Sequence, residues 1–417
     1  MKQSIAEKRN YKITTVSQVK DVILDYLNKY ISDNNIKIGL PEINDRYNEW
    51  RTTLLNEYDF QLGSIVIDAY TGKINKDKTT DIALLKSRLH KKEDITISDN
   101  KKPYGISPLN NTIELGDSIK VLEEIPEESI DLIFTSPPYF NARPEYKEYE
   151  DYDEYLEIMR QIIRRASKTL VNGKFFVMNI SHVLIPRQTR NHSSTRIAVP
   201  FDLHKIFIEE GFEFIDDIIW QKPEGAGWAS GRGRRFSQDR NAMQYKTVPV
   251  TEYVLVYRKK SDRLIDWFIR KHPNQNLVEQ SKIEDGYEKT NIWYISPARD
   301  KRHNAIFPLE LAEKIIKYYS FKGDVVLDPF GGLGTTAKAA LKTGRKFFII
   351  EKERKYFEEM KKDIIKNYQD MIDSGEIIIR ESIEYEIPFD RKKMLEDKLI
   401  SLKIEIEKIK MKLNEIK

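Results

Sequence analysis

Short apolar runs alternate with helical spacings from Thr112 to about Tyr368, a pattern that predicts an α/β fold in which crossover helices join the strands of one sheet. The runs Thr112–Leu115, Leu132–Thr135, Lys174–Asn179, Phe214–Trp220, Tyr253–Arg258, Val325–Asp328 and Lys346–Ile350 read as its seven strands. Ahead of them, Val16, Val19, Ile23, Leu27 and Ile31 recur three and four residues apart, the spacing of a helix that buries one stripe. Ser64–Tyr70, closed by Thr71 and Gly72, reads as a strand entering a turn, and the Lys-rich stretch beyond it, to about Lys102, as solvated helix or linker. Arg143–Glu157 holds seven acids and four tyrosines and reads as an amphipathic helix with Tyr146, Tyr149, Tyr152 and Tyr155 turned inward. At the far end, Leu395, Leu399, Leu402, Ile406, Ile409, Leu413 and Ile416 form a heptad seam. A helix packed on its own protein and a homodimer contact suit that seam equally well. The expected organisation is an N-terminal extension over 1–108, a half-domain over 109–220, an inserted region over 221–300 that retains the strand 253–258, a second half-domain over 301–368, and a helical segment over 369–417.

Composition narrows the function classes. With 40% apolar and 33% charged residues among 417, the chain can bury a substantial core under a charged surface. Its 70 Lys and Arg against 66 Asp and Glu leave a net charge of only +4, so a nucleic-acid surface would have to be local. The first residues are polar and charged, and no run of about eighteen apolar residues occurs. No signal peptide and no membrane span are expected, and the cytoplasm is the default location. Cysteine is absent, which removes disulfides, thiolate-bound zinc, iron–sulfur clusters and thiolate nucleophiles. No metal site is expected.

Two segments carry candidate chemistry. Val325–Asp328 runs into Pro329-Phe330-Gly331-Gly332-Leu333-Gly334-Thr335-Thr336 and a small-residue helix, so a buried strand ends in a turn whose glycines let backbone approach a ligand. Glu351 lies twenty residues beyond Gly331 at the tip of the next strand, where Rossmann-like sites place the acid that binds ribose hydroxyls. Asp-Pro-Phe at the head of the turn suits a cationic amino-acid tail better than a pyrophosphate, which favours S-adenosylmethionine over a nicotinamide dinucleotide. The second segment is Asp131-Leu132-Ile133-Phe134-Thr135-Ser136-Pro137-Pro138-Tyr139. Its consecutive prolines fix extended backbone and remove two N–H donors, leaving an array of acceptors that matches an amine. Ser136 and the Pro137 carbonyl can accept from the two amine hydrogens, and Tyr139, with Phe140 as a weaker second, can stack on a heterocycle. Between the halves, residues 222–246 interleave Lys222, Arg232, Arg234, Arg235, Arg240 and Lys246 with Trp228, Phe236 and Tyr245, against only Glu224 and Asp239. Such a basic, aromatic insert suits DNA, whether its Arg forks read guanine edges or clamp phosphates.

Thr135–Tyr139 resembles motif IV of the amino-methyltransferases that modify DNA bases, and Asp328–Thr336 resembles their motif I. The catalytic motif precedes the cofactor motif, so the chain resembles the permuted β class over roughly Thr112 to Tyr368. Gly116-Asp117-Ser118, Leu170–Lys174, Ile219-Trp220-Gln221-Lys222-Pro223 and His303–Pro308 resemble further family segments in the expected order. The resemblance implies a Rossmann-like class I methyltransferase fold with a mostly parallel seven-stranded sheet and helical extensions at both ends. It further implies S-adenosylmethionine as cofactor, with Asp117 near the adenine, Phe307 and Pro308 against the methionine portion, and Asp328, Phe330, Gly331, Gly334, Thr335 and Glu351 completing the pocket. Ser136, Pro137, Pro138 and Tyr139 would be catalytic, Lys222, Arg232, Arg234, Arg235 and Arg240 would contact double-stranded DNA, and a restriction endonuclease would be the functional partner. Where the family has Gly-Ser-Gly this chain has Gly332-Leu333-Gly334, which removes a hydroxyl contact and keeps the backbone. Ser-Pro-Pro-Tyr is the usual form in enzymes that methylate cytosine N4, Asp-Pro-Pro-Tyr in those that methylate adenine N6. Methylation at cytosine carbon 5 normally needs a cysteine nucleophile, so the missing cysteine points to an exocyclic nitrogen. Adenine N6 methylation and a non-catalytic DNA-binding regulator are the alternatives.

Overall fold

The computed structural model describes residues 11–31, 36–44, 47–57, 60–89, 104–140, 151–185, 194–224, 247–261, 263–298, 300–302 and 306–381, with isolated positions between and beyond them. The chain divides into two compact units, residues 1–98 and 99–417.

In the first unit, helix α1 (Val16–Tyr30) starts at a reciprocal cap: Thr15 accepts from the Gln18 N–H, and the Gln18 side chain accepts from the Thr15 N–H. The helix buries Val19, Ile23 and Leu27, as the spacing predicts. Strands β1 (Lys37–Ile38), β2 (Glu42–Asn44), β3 (Glu49–Leu55) and β4 (Gln61–Asp68) form an antiparallel sheet, followed by α2 (Ile82–Arg88). Only β4 is evident in the apolar pattern. The expected extension is therefore a small folded unit with its own core, built on Trp50, Leu54, Leu62, Ile65 and Ile67.

The second unit runs β5 (Asn111–Leu115), α3 (Ser118–Glu124), β6 (Ile130–Thr135), α4 (Tyr152–Thr169), β7 (Leu170–Ile180), β8 (Val183–Ile185), β9 (Thr195–Ile197), α5 (Val199–Glu209), β10 (Phe212–Gln221), β11 (Thr251–Lys259), α6 (Ile265–Lys271), α7 (Gln275–Gln280), β12 (Ile292–Tyr294), α8 (Leu309–Tyr319), β13 (Val325–Asp328), α9 (Thr335–Lys342), β14 (Lys346–Glu351), α10 (Arg354–Asp373) and β15 (Ile377–Glu381). Nine strands make one sheet in the order β12-β10-β11-β7-β6-β13-β14-β5-β15. Every pairing is parallel except the two made by β11. All seven expected strands are present. The two additions occupy the edges, and β15 falls in the segment expected to be helical.

Residues on β6 and β13 are buried on both faces, which explains their unbroken apolar sequences. One core layer joins α4 and α5 to the sheet through Tyr155, Met159, Ile163, Leu203 and Phe207, and the other joins α8, α9 and α10 through Leu311, Ile315, Ala337, Ala340, Phe357 and Met360. Helix α4 begins at Tyr152, with Tyr155 fully buried and Tyr152 half-buried; Tyr146 and Tyr149 lie outside the described residues. So does most of the heptad segment.

Strand order reverses between β13 and β6. From β13 the chain crosses to β14 on one side, and from β6 to β7 on the other. The carboxyl ends of these two strands therefore flank the switch-point crevice where open α/β sheets bind ligands. Both chemistry-bearing segments begin there.

Candidate active site

The two segments are bonded to each other. Thr135 Oγ1 at the tip of β6 donates to Asp328 Oδ1 at the tip of β13 (2.6 Å), Thr336 Oγ1 donates to Asp328 Oδ2 (2.6 Å), and the Phe330 N–H donates to Oδ1 (3.0 Å). Asp328 is completely buried and burial raises its carboxyl above the usual range, against these three donors. This corrects the expected role of Asp328. With no exposed surface it cannot meet a ligand's ammonium; it ties the glycine turn to the end of β6.

The glycine turn is held from the β14 side. The Gly331 N–H donates to the Ile350 carbonyl (2.8 Å), and a Cβ at Gly331 would lie 2.2 Å from Ile349 Cγ2, so no other residue fits that approach. Gly334 starts α9 with φ of +73°. Glu351 accepts from the Gly332 N–H (2.6 Å) and the Glu353 N–H (2.7 Å), one bond on each carboxylate oxygen. Burial pushes its carboxyl up to about 7 despite both donors. Asp117 caps α3 at the neighbouring tip of β5, where the Gly116 N–H donates to the Glu351 carbonyl (3.0 Å). Ser118 Oγ donates to the Pro329 carbonyl (2.5 Å). Phe330 and Phe307 are half-buried; Phe307 packs edge-on to Phe134 at 5.0 Å between ring centres, and Pro308 precedes α8. Thr335 is half-buried at the first turn of α9.

This donor set fits S-adenosylmethionine. Glu351 retains lone pairs for ribose hydroxyls, and the glycine turn offers backbone together with the half-buried ring of Phe330. The turn from Pro329 to Ala337 contains no Lys or Arg to receive a phosphate, and Lys338, next in sequence, is paired with Asp363 (2.7 Å).

The tetrapeptide Ser136–Tyr139 leaves β6 half-buried at Ser136, Pro138 and Tyr139 and buried at Pro137. Two residues the sequence reading missed stand against it. Asn179, near the end of β7, points its amide at Ser136 Oγ (3.3 Å), Tyr139 O (3.4 Å) and Glu252 Oε2 (2.8 Å). Glu252, second residue of β11, also accepts from the Tyr139 hydroxyl (2.9 Å) and pairs with Lys222 Nζ. Burial and then the Glu252 carboxylate hold the Tyr139 phenol well above its ordinary value. The available signal was a lone polar residue near the crevice end of an otherwise apolar strand, as in Phe175-Phe176-Val177-Met178-Asn179 and Glu252-Tyr253-Val254-Leu255-Val256.

Lys222 is a second correction. Expected among the DNA-contacting cations, it lies over the Trp220 ring (4.5 Å) with its ammonium committed to Glu252. Of the other basic residues of the insert, Arg240 is exposed with φ of +52°, while Arg232, Arg234, Arg235 and Lys246 lie outside the described residues. No group of acids and histidines suited to a metal occurs among the described residues, and no helix there is long and apolar enough to cross a membrane.

A permuted Rossmann-like sheet with an acceptor tetrapeptide and a glycine turn bonded together at its switch point defines a class I methyltransferase that uses S-adenosylmethionine. The DNA methylase family of N6 and N4 methyltransferases matches residues 130–362, more than half of the chain, and the protein belongs to that family. It is 28% identical over 308 residues to the Type II methyltransferase M.BglI of Bacillus subtilis, covering 61% of this chain and 85% of that one. It is 29% identical over 281 residues to the Type II methyltransferase M.ScaI of Streptomyces caespitosus, covering 64% and 86%. A candidate DNA modification methylase of Thermus thermophilus, solved with S-adenosyl-L-methionine, superposes with a TM-score of 0.51 at 27% identity over 66% of this chain and 100% of that chain.

Proposed function

We propose that the protein methylates the exocyclic N4 amine of a cytosine flipped out of duplex DNA at a defined sequence, as the protective partner of a restriction endonuclease. The observation that carries this reading is the Thr135–Asp328 bond, which sets Ser136-Pro137-Pro138-Tyr139 beside the cofactor turn. The relatives' designation as Type II methyltransferases supports the pairing with an endonuclease.

S-adenosylmethionine, when bound, supplies a methyl group made electrophilic by its sulfonium. Glu351 would hold its ribose hydroxyls, Asp117 the adenine end, and Phe330, Gly331, Gly334, Thr335, Phe307 and Pro308 the rest. The base amine is a weak nucleophile because its lone pair is delocalised into the ring. Ser136 Oγ and the Pro137 carbonyl each accept one of its hydrogens and hold the nitrogen nearer a tetrahedral geometry, with its lone pair free for in-line attack. The half-buried Tyr139 ring offers the stacking face that offsets part of the few kcal/mol that flipping costs. An adenine amine would fit the same acceptors; serine at the head of the tetrapeptide favours cytosine.

Replacing Ser136 and Tyr139 together by Ala is expected to slow methyl transfer by at least about 10²-fold while S-adenosylhomocysteine still raises the melting temperature. Unchanged transfer would mean that the tetrapeptide is not the catalytic array. A regulator without turnover would transfer no methyl in either form.

The Glu351 carboxyl, pushed up to about 7, gives a pH signature. Only its ionised form accepts from both ribose hydroxyls, so S-adenosylhomocysteine should bind more tightly as pH rises from 6 to 8. In Glu351→Gln that dependence should vanish. Calorimetric titration at both pH values checks it, and equal slopes in the two proteins would remove Glu351 from the ribose. In the insert, Arg234→Ala with Arg235→Ala is expected to weaken DNA binding by at least about tenfold and leave S-adenosylhomocysteine affinity unchanged. Loss of both affinities would make that segment structural.

A further inference from the structure

Glu252 is only 9% exposed, and burying a carboxylate costs several kcal/mol unless partners compensate. Its partners come from three separate elements: Tyr139 from the segment after β6, Asn179 from β7 and Lys222 from the segment after β10. The register places Glu252 opposite Trp220, so β10 and β11 together deliver the Lys222–Glu252 pair to the catalytic tetrapeptide. The chemistry of these groups fixes a direction. A carboxylate only accepts, so the Tyr139 hydrogen points to Glu252 and the Tyr139 oxygen is left to accept; it and Ser136 Oγ share the Asn179 amide, 3.4 and 3.3 Å away, which sets the Ser136 hydroxyl beside it. Asn179 donates to one lone pair of Ser136 Oγ at 3.3 Å. Among the described residues no other donor reaches Ser136 Oγ, which leaves its second lone pair to the amine.

We propose that Glu252 is the positioning residue of the reaction and the acceptor of the proton it releases, acting on the base through Tyr139 and Ser136. The inference rests on the exocyclic-amine reading above and explains how a neutral serine serves as acceptor: the charge stands two hydroxyls away and polarises both. As the N–C bond forms and the methyl carbon's bond to sulfur breaks, the sulfur becomes a neutral thioether and the nitrogen cationic. One nitrogen-bound hydrogen passes to Ser136 Oγ, the Ser136 hydrogen to Tyr139, and the Tyr139 hydrogen to Glu252 Oε2. The methylated amine and Glu252 are then both neutral, and Glu252 returns its proton to water, a step the neighbouring Lys222 favours.

The test uses single-turnover methyl transfer from labelled S-adenosylmethionine to unmethylated bacteriophage DNA of mixed sequence. Glu252→Gln is expected to lower the rate about 10²-fold, with the apparent KM for DNA and for S-adenosylmethionine within about threefold of the original. Tyr139→Phe keeps the ring and removes the relay, and should lose a similar factor. The double variant should be no slower than the slower single one, because the two act as a unit. Should Glu252→Gln fail to fold, Tyr139→Phe carries the test alone. A rate within about threefold of the original in either folded variant, or losses that multiply in the double variant, would overturn the proposal. Nucleosides from the unsubstituted protein's product separate the two readings: no methylated amine overturns both, whereas a methylated amine with unaffected variants overturns only the role of Glu252.

Discussion

Asp328→Ala is expected to abolish methyl transfer and S-adenosylhomocysteine binding together, and to lower stability by at least about 3 kcal/mol. The substitution leaves the Thr135 hydroxyl, the Thr336 hydroxyl and the Phe330 N–H without their common acceptor in a fully buried position. Each unsatisfied buried donor costs roughly 1–3 kcal/mol, and rotation of the hydroxyls recovers part of that. The larger consequence is geometric, because one carboxylate sets both the end of β6 and the glycine turn. Asp328→Asn keeps one acceptor oxygen and should fall between the two proteins in stability and in affinity. Urea unfolding and calorimetry on all three check the order. An Asp328→Ala protein that unfolds like the original and binds S-adenosylhomocysteine normally would show that the two motifs are positioned independently.

Lys174→Met is expected to cost about 3–5 kcal/mol without touching the crevice. Lys174 lies in β7 toward the amino-terminal edge of the sheet, 3.0 Å from Asp324 and 3.6 Å from Asp131, and donates to the Tyr104 hydroxyl at 3.1 Å. Burial opposes its charge, but Asp324 and Asp131 outweigh burial and hold the ammonium above the ordinary lysine value. Burial, and then Asp324, push the Asp131 carboxyl above its ordinary value against the pull of Lys174. Removing the ammonium leaves two buried acids facing each other, and the sign of the pH dependence follows. A carboxyl with a raised folded value favours the folded state fully below its unfolded value near 4, and loses that contribution as pH rises through the folded value. Without Lys174 the folded value of Asp131 climbs further, so the penalty should be larger at pH 8 than at pH 5.5. Denaturant unfolding at both pH values measures it. A penalty independent of pH would mean that the cluster carries no uncompensated charge.

What could be read from the sequence follows from how each element is buried. Strands such as β6 and β13 are covered on both faces, so their unbroken apolar runs stand out, and the prolines and glycines that end them mark the crevice. The edges were lost for the opposite reason. Strand β12 is three residues long with only Trp293 buried, and β15 buries only Ile377 behind a long helix, so neither contrasts with its surroundings. The four-stranded sheet of the first unit shows through only in β4, because β1 and β2 are short and half-exposed. At the candidate site, Ser136, Tyr139 and Gly331 are legible because turn chemistry marks them, and Glu351 because it is the acid at the tip of the next strand. Asn179 and Glu252 belong to strands far apart in sequence and become neighbours only through sheet order. The same order explains the two reassigned charges. Asp328 and Lys222 look like ligand-facing groups in one dimension, and each is claimed by partners that only the folded sheet supplies.

The site is proposed to methylate the N4 amine of cytosine. Incubating the protein with methyl-labelled S-adenosylmethionine and unmethylated DNA, digesting to nucleosides and separating them by mass spectrometry tests it directly. Label is expected in N4-methylcytosine, and none when S-adenosylmethionine is withheld; label in N6-methyladenine or 5-methylcytosine instead, or in no nucleoside at all, would rule out cytosine N4 as the target.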